Sequence, residues 1–186
     1  MAVGRPRDPD VDARIRAAVL VLLVERGYAG LRIDDVAHAS RVAKTTIYRR
    51  WPSLALLVLD AVADALGPRE VPRTGDVEAD LESLVAIVHA SLVANPVGWA
   101  LPAIGVDLLR QPELAAEYRR RFVEPLRGAA IDLVRRGVEQ GRFTDRVAPQ
   151  VVVDAVAGAV VYRRVIGERP PSVPELLALV HAALRP

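Results

Sequence analysis

Apolar residues recur at three- and four-residue spacing along most of this 186-residue chain, and this period constrains its fold most strongly. The first such stripe is Val11, Ile15, Val19 and Leu22, and it stops before Gly27. Hydrophobic residues make up 52% of the chain but aromatic residues only 4%, so a helix-compatible mixture of Ala, Val and Leu must fill the interior. The sequence therefore predicts an all-α fold.

Glycines, prolines and capping residues divide the chain into about nine predicted helices. Ser53 is a good cap for the fourth helix, and the loop at 67–75 holds two prolines and two glycines. The predicted helices cover 10–26, 33–40, 44–51, 53–67, 77–94, 98–110, 113–140, 149–166 and 173–185. Pro125 must kink the seventh of these or split it in two, and the sequence leaves both open.

The segment KTTIYRRWPS, residues 44–53, is dense in hydroxyl, cationic and aromatic side chains. On a helix, Ile47 and Trp51 share one face, which can pack on the preceding short helix. The other positions are polar or cationic: Lys44, Thr45, Thr46, Tyr48, Arg49 and Arg50. Hydroxyls and guanidinium groups hydrogen-bond to base edges in the DNA major groove, whereas Lys and Tyr reach phosphates. This layout predicts a helix-turn-helix with its recognition helix second; a solvated polar surface is the alternative.

Positive charge is concentrated at the amino-terminal end. Residues 1–52 hold ten Lys or Arg against six Asp or Glu, a net charge of +4, and residues 53–186 have a net charge of −2. The basic arm GRPR at residues 4–7, with Arg5 and Arg7, is suited to a minor groove. We therefore expect a DNA-binding domain at 1–52 and a second domain at 53–186 that does not meet the polyanion.

Several functional classes are disfavoured by what the sequence lacks. The chain has no cysteine and three scattered histidines, which gives no thiol chemistry, no metal cluster and no nucleophile paired with a base. We therefore expect no enzyme activity, no cofactor and no metal. The charged amino terminus and the short apolar run at 151–161 predict neither a signal peptide nor a membrane span, so we expect a cytoplasmic protein with no membrane partner.

The helix at 149–166 is apolar almost all round, so it must be covered on both sides. A second copy of the chain is an economical cover, and small residues in this helix would let two backbones approach closely. A central helix wrapped by its own chain is the alternative. The predicted homodimer contacts are Val152, Ala155, Val156, Ala159, Val160, Leu176, Leu179, Val180 and Ala183.

The stretch GYAGLRIDDVAHASRVAKTTIYRRWPS, residues 27–53, resembles the DNA-binding domain of the tetracycline-repressor (TetR) family, a resemblance that extends from about Pro9 to Leu59. The resemblance implies that Lys44, Tyr48 and Arg50 contact phosphates, and that Thr45, Thr46 and Arg49 face base edges. It further implies a homodimer formed by the last two long helices, which binds a double-stranded operator and carries a cavity for a small-molecule effector. A repressor that leaves its operator when the effector binds is the usual outcome.

The same stretch departs from the family pattern at positions that usually support the motif. Leu31 and Arg32 stand where a capping Thr or Ser is usual, Arg41 replaces a turn glycine, and Ala43 replaces a capping Ser. A lost cap typically costs ~1 kcal/mol of stability. Arg32 and Arg41 are candidate replacement phosphate contacts. The alternative is a dimeric ligand-binding or interaction module whose DNA binding is weak or lost.

Four aromatic residues outside the amino-terminal domain are candidates for lining the effector cavity: Trp99, Tyr118, Phe122 and Tyr162. His89 lies at the edge of an apolar helix stripe and is a candidate polar contact in the same cavity. Ordinary core packing explains each of these residues equally well.

Overall fold

The computed structural model describes residues 9–185, and within them every regular element is a helix. The α-helices are α1 (Pro9–Arg26), α2 (Ile33–Ser40), α3 (Lys44–Tyr48), α4 (Leu54–Leu66), α5 (Val77–His89), α6 (Leu101–Leu108), α7 (Pro112–Tyr118), α8 (Glu124–Glu139), α9 (Pro149–Val165) and α10 (Val173–Leu184). A π-turn (Ala90–Ala94) extends α5, and a 3-10 turn (Gly98–Ala100) leads into α6. A second π-turn (Arg119–Val123) joins α7 to α8 without a break, so these residues form nine continuous helices and the predicted all-α fold is confirmed.

Side-chain caps define where three of the helices begin. Ser53 accepts a hydrogen bond from the backbone N–H of Leu56 at 3.2 Å, which confirms it as the cap of α4. Asp76 caps α5 in the same way, and Ser172 forms a reciprocal capping box with Glu175 at the start of α10. The N–H and hydroxyl of Ser172, and then Arg169, lower the pKa of Glu175 to about 2.

The first of two hydrophobic cores joins the amino-terminal helices to the helices that follow. Ile15, Ile47 and Leu57 are fully buried in it together with Ile104 of α6, and Phe122 of the second π-turn is nearly so. Helix α4, which the sequence assigned to the second domain, packs into this core beside α1. The boundary between residues 52 and 53 stays a prediction, but α4 is shared by both sides of it.

The second core is built by α5, α8, α9 and α10. Five residues that the sequence assigned to the dimer interface are buried in it, within their own chain: Val152, Val156, Val160, Leu176 and Val180. Their assignment was wrong, because a side chain enclosed by its own protomer has no surface left for a second copy. An almost wholly apolar helix gave no polar face from which its orientation could be predicted.

The long loop between α4 and α5 is anchored to α8 and to the π-turn that precedes it. The fully buried carboxylate of Asp80 accepts hydrogen bonds from the backbone N–H and the hydroxyl of Thr74, and it pairs with Arg136 of α8 at 3.5 Å. Burial raises the pKa of Asp80, but the Thr74 hydrogen bonds and Arg136 outweigh that effect and lower it. Earlier in the loop, Arg69 donates to the carbonyl oxygens of Arg121 at 2.9 Å and Phe122 at 3.4 Å.

The helix around Pro125 is not split. Proline has no N–H, and in an α-helix its ring clashes with the carbonyl four residues earlier, which here belongs to Arg121. A π-turn, in which hydrogen bonds span five residues, immediately precedes α8 and accommodates Pro125. The freed carbonyl of Arg121 then accepts its hydrogen bond from Arg69 instead.

No single helix within residues 9–185 combines the length and the apolar composition needed to cross a bilayer. Only the segments Val77–Ala94 and Gly98–Leu108, taken together, reach that length and composition, and they are bent by 85° relative to each other.

Candidate nucleic-acid interface and regulatory cavity

Helix α3 packs one face into the first core and presents the other to solvent. Ile47 is fully buried and Trp51 is 9% exposed, whereas Lys44, Thr45 and Arg49 are exposed. Tyr48 is also exposed, at 47%, and Thr46 is half-buried. The outward face of α3 therefore holds hydroxyl, cationic and phenol groups, as the sequence predicts.

An indole hydrogen bond fixes the end of this segment to α4. Trp51 Nε1 donates to Asp60 Oδ2 at 3.1 Å, and Arg16 of α1 approaches the same carboxylate oxygen at 3.5 Å. Arg16 also pairs with Asp64 one turn further along α4 at 3.3 Å. The position of α3 is therefore tied through Trp51 to α4.

The turn between α2 and α3 contains a residue in the left-handed conformation. Arg41 has φ 55° and ψ 38°, a conformation that costs a non-glycine residue roughly 1 kcal/mol. The backbone N–H groups of Arg41 and Val42 donate to the carbonyls of His38 and Ala37, which terminates α2. The side chain of Arg41 is exposed beside α3.

The predicted absence of helix caps in this region is confirmed. Neither Arg32 before α2 nor Ala43 before α3 makes a side-chain cap hydrogen bond. Arg32 Nη1 instead donates to the carbonyl oxygens of Ala29 at 2.8 Å and Leu31 at 3.0 Å, which holds the turn that leads into α2. The Leu31 side chain is buried in the first core, so it contributes packing and no cap hydrogen bond.

The cations near α3 differ in their counter-ions. Lys44 pairs with Asp34 on the surface, with both side chains at least half exposed. Arg49 and Arg41 have no ion-pair partner among residues 9–185. The predicted contacts Arg5 and Arg7 lie outside the described residues.

Arg50 requires a correction. The resemblance implied a phosphate contact, but its Nε pairs with Asp12 of α1 and its Nη1 donates to the carbonyl of Thr46 at 3.4 Å. Only 11% of the Arg50 side chain is exposed. The structure therefore places Arg50 as a tie between α1 and α3 and not on the outward face.

A cavity of about 260 Å³ lies in the carboxyl-terminal part, bounded by α5 to α10 and the loop before α5. Most of its wall is aliphatic, supplied by residues such as Leu84, Val88, Leu126 and Val153. An apolar cavity of about 150 Å³ is enough to bind benzene. This one has room for a considerably larger molecule.

Two of the five residues predicted to line a cavity, Tyr118 and Phe122, do line it, with ring centroids 5.5 Å apart. His89, Trp99 and Tyr162 are not among its lining residues, so their placement in the cavity was wrong. Tyr162 is 65% exposed and belongs to the outward side of α9. His89 is half-buried on a side of α5 that does not meet the cavity.

Trp99 contacts the side chain of Arg164 and not the cavity. It is 47% exposed, and the guanidinium of Arg164 stacks 3.2 Å from the centroid of its ring. Burial lowers the pKa of Arg164 to about 10. This contact joins the end of α9 to the turn before α6.

Three charged side chains line the cavity, and sequence reasoning assigned none of them to it. Arg127 of α8 and Asp154 of α9 form a two-pronged pair, with N–O distances of 2.7 and 2.9 Å, and hydrogen bonds from Arg127 lower the pKa of Asp154. The third is Arg69. Asp154 interrupts an apolar run, which is a visible signal in the sequence, whereas Arg69 lies in a loop with nothing to mark it.

The exposed side of α9 and α10 carries small and apolar residues. On α9 they follow a single stripe at spacings of three and four: Val151, Ala155, Gly158, Tyr162 and Val165. On α10 the exposed apolar residues are Ala178, Leu179 and Ala182. Of the predicted interface, Ala155 and Leu179 lie on this surface, and Ala159 and Ala183 are half-buried beside it.

Among residues 9–185, no three His, Cys, Asp or Glu side chains converge in a way that could hold a metal ion.

Similarity to known proteins covers both halves of the chain. Residues 15–61 match the family model described as bacterial regulatory proteins, tetR family, and residues 71–183 match the model of the tetracyclin repressor-like, C-terminal domain. An uncharacterized HTH-type transcriptional regulator of Mycobacterium bovis, Mb1581, is 31% identical over 98% of this chain and 92% of its own length.

Two further proteins are similar over most of their length. A DNA-binding transcriptional repressor named TetR from Mycobacteroides abscessus is 29% identical over 83% of this chain and 82% of its own. The crystal structure of a TetR family transcription regulator, SCO0332, superposes with a TM-score of 0.62 at 35% identity, covering 92% of this chain and 95% of the other.

Proposed function

The chain belongs to the TetR family of bacterial transcriptional regulators, and we propose that it is a homodimeric repressor that a small molecule releases from its DNA operator. The observation that carries this proposal is the outward face of α3. Its hydroxyl and guanidinium groups are exposed, while Ile47 and Trp51 hold the opposite face rigidly in the core. A short helix anchored on one side and polar on the other fits a major groove.

Within this helix the residues take different roles. Thr45 and Arg49 face base edges, because they are exposed and Arg49 has no ion pair among residues 9–185. Lys44 and Tyr48 flank them and contact phosphates, and Lys44 can exchange its surface pair with Asp34 for a phosphate at little cost. Thr46, half-buried, contributes at the margin of the base-reading surface.

Outside α3, Arg41 contacts phosphate, because it is exposed in the turn that precedes α3. Arg32 can join it, since its side chain is exposed and bonded only to nearby carbonyls. The arm with Arg5 and Arg7 follows the neighbouring minor groove.

The dimer forms through the exposed stripe of α9 and the exposed apolar residues of α10. Ala155 and Gly158 allow two copies of α9 to approach closely, and a Cβ added at Gly158 would meet no atom of its own chain within 4 Å. Isologous pairing of this surface brings two recognition helices to the same side of a duplex, at the roughly 34–36 Å that separates successive major grooves.

The effector binds in the cavity between α5 and α10. The signal reaches DNA through the first core, which contains Phe122 and α6 residues together with α4, and in which α7 contacts α4. The Trp51–Asp60 hydrogen bond then ties α4 to α3. Repression is the expected sign, since a relative of similar length is named a transcriptional repressor. Such a regulator acts in the cytoplasm, where its operator lies.

A gel-shift titration against duplex DNA that flanks the chain's own gene tests this function. We expect tight binding to a particular fragment, with an affinity that falls steeply between about 50 and 200 mM salt because phosphate contacts release counterions. Unrelated DNA of equal length should bind far more weakly. Equal, weak binding to all fragments would instead support a dimeric module that has lost operator binding.

A further inference from the structure

One cation that lines the cavity has no counter-ion among residues 9–185. This observation, which rests on the proposed effector site, indicates what kind of molecule binds there. Arg69 lines the cavity and is half-buried, and no carboxylate among residues 9–185 lies within ion-pair distance of it. Burial lowers the pKa of Arg69, and the neighbouring Tyr118 only partly opposes that effect. An unpaired charge in an apolar wall is costly unless something else compensates it.

The other charged groups of the cavity do not share this property. Arg127 and Asp154 neutralise each other through two hydrogen bonds and are exposed to solvent over 39% and 56% of their side chains. A ligand gains little from either, because it would first have to break their pair. Arg69 is thus the group at which a negative charge on a ligand is stabilised most.

Arg69 is also held in place to receive such a group. Its two hydrogen bonds to the carbonyls of Arg121 and Phe122 orient the guanidinium plane, and the Phe122 ring centroid lies 5.8 Å from its central carbon. A guanidinium has five N–H donors and these two carbonyls use one on each terminal nitrogen, so donors remain for a carboxylate. Tyr118, whose hydroxyl donates to the carbonyl of Leu101 at 3.0 Å, stands in the same part of the wall.

Arg69 additionally stands where the cavity borders a second depression. That depression, also of about 260 Å³, shares Arg69 and Ser91 with the cavity, and its other lining residues are Leu66, Pro68, Glu70, Ile87, Ala90 and Asn95. Arg69 and Leu66, the last residue of α4, therefore line the same depression. Glu70 forms no ion pair with Arg69.

We propose that the effector is a predominantly apolar molecule that carries a single carboxylate, and that Arg69 binds this carboxylate while the aliphatic wall buries the remainder. The aliphatic lining supplies the affinity, and the guanidinium, which has no ion-pair partner among residues 9–185, selects the acid over its neutral analogues.

Isothermal titration calorimetry on the full-length dimer tests the assignment with two matched probe pairs, decanoate with decanamide and 2-naphthoate with 2-naphthamide. Each pair has one shape and differs in charge. At pH 7.5 we expect the parent protein to bind at least one carboxylate tenfold or more tightly than its amide. In Arg69→Gln this preference should fall to within about threefold, because the carboxylate loses more affinity than the amide.

Two further variants separate charge recognition from structural damage. Arg69→Lys keeps the cation and should retain part of the preference, and Arg127→Gln combined with Asp154→Asn removes the neutral pair and should retain it fully. Thermal unfolding of each variant identifies loss of fold. If the parent protein binds neither carboxylate, or binds acid and amide equally, the assigned ligand class is wrong. The gel-shift titration without ligand reports independently whether the protein binds its operator.

Discussion

The outward faces of α3 and α9 differ in the partner that each requires. Both helices bury one side in a hydrophobic core, but α3 exposes hydroxyls and cations, whereas α9 exposes a stripe of alanine, glycine, valine and tyrosine. A polyanion suits the first surface, and a second copy of the same surface suits the second. The contrast shows that what a helix leaves exposed identifies its partner better than its overall hydrophobicity does.

Three arginines extend this contrast from helices to single residues. Arg50 is largely buried and paired with Asp12, Arg49 is exposed and has no ion pair among residues 9–185, and Arg69 is half-buried and equally without one there. Under the proposed function, the first stabilises the fold, the second contacts DNA and the third binds the ligand. Burial and counter-ion together therefore distinguish roles that residue type alone does not.

A substitution that disrupts the exposed surface of α9 should give the largest loss of operator affinity. A Glu at position 155 of each copy would place two like charges at the centre of the symmetric contact, so Ala155→Glu should give a monomer by light scattering. Because two linked half-sites gain on the order of a hundredfold or more over one, operator affinity should fall by at least that factor.

The matched control for this variant is Ala86→Glu, the same change at an exposed helical alanine of α5. It should stay dimeric and keep its operator affinity. Ala155→Glu remaining a dimer with full affinity would remove α9 from the interface.

Breaking the α3 surface at Arg49 should have the next largest effect. Removing one hydrogen-bonded contact to a base costs about 1–3 kcal/mol, and the substitution acts in both half-sites of a dimer. We expect Arg49→Ala to weaken operator binding roughly tenfold or more while binding to unrelated duplex changes little, as measured by fluorescence anisotropy with both DNAs. A parallel loss of affinity on both DNAs would make Arg49 a phosphate contact.

Replacing Arg50 should lower the stability of the fold without changing the preference for operator over unrelated DNA. Arg50→Ala leaves the Asp12 carboxylate largely buried without its partner, and we expect a loss of about 1–3 kcal/mol in the free energy of unfolding by urea. Well below its unfolding midpoint the variant should keep the parent's ratio of operator to non-specific affinity. Adding Asp12→Ala should cost less than the two single changes summed, since the pair is removed only once.

Replacing Lys44 by alanine should give the smallest change in stability and in DNA affinity. Its exposed pair with Asp34 contributes little to stability, so Lys44→Ala should leave the unfolding free energy within about 0.5 kcal/mol of the parent. Affinity should fall a few-fold on operator and unrelated DNA alike, and the slope of log affinity against log salt should decrease by about 1 for each phosphate that is no longer neutralised. A change in sequence preference would contradict the phosphate assignment.

Local signals predicted much of the helical framework. The Ser53 cap, the missing caps at Arg32 and Ala43, and the anchoring pair Ile47 and Trp51 all depend on residues close together in the chain. Their geometry follows from helix periodicity and capping alone, so one sequence suffices to predict them.

Features that depend on distant residues could not be predicted in this way. The pairing of Arg50 with Asp12 joins two residues that are 38 positions apart in the chain. The hydrogen bonds from Arg69 to the π-turn join residues that are more than 50 positions apart. The inward and outward sides of α9 were not distinguished either, because nearly every position in that helix is apolar and periodicity then carries no direction. The prediction that Trp99 and Tyr162 line the cavity failed because aromatic character alone does not show which side of a helix is buried.

The distance between two spin labels in the operator-bound dimer tests the central claim most directly. The chain has no cysteine, so Ala39→Cys on the exposed side of α2 gives one label in each copy. We predict a single narrow distance population by pulsed dipolar spectroscopy, consistent with recognition helices roughly 34–36 Å apart. Absence of any dipolar coupling between labels, or a separation that cannot place both α3 helices in successive major grooves, would contradict the account.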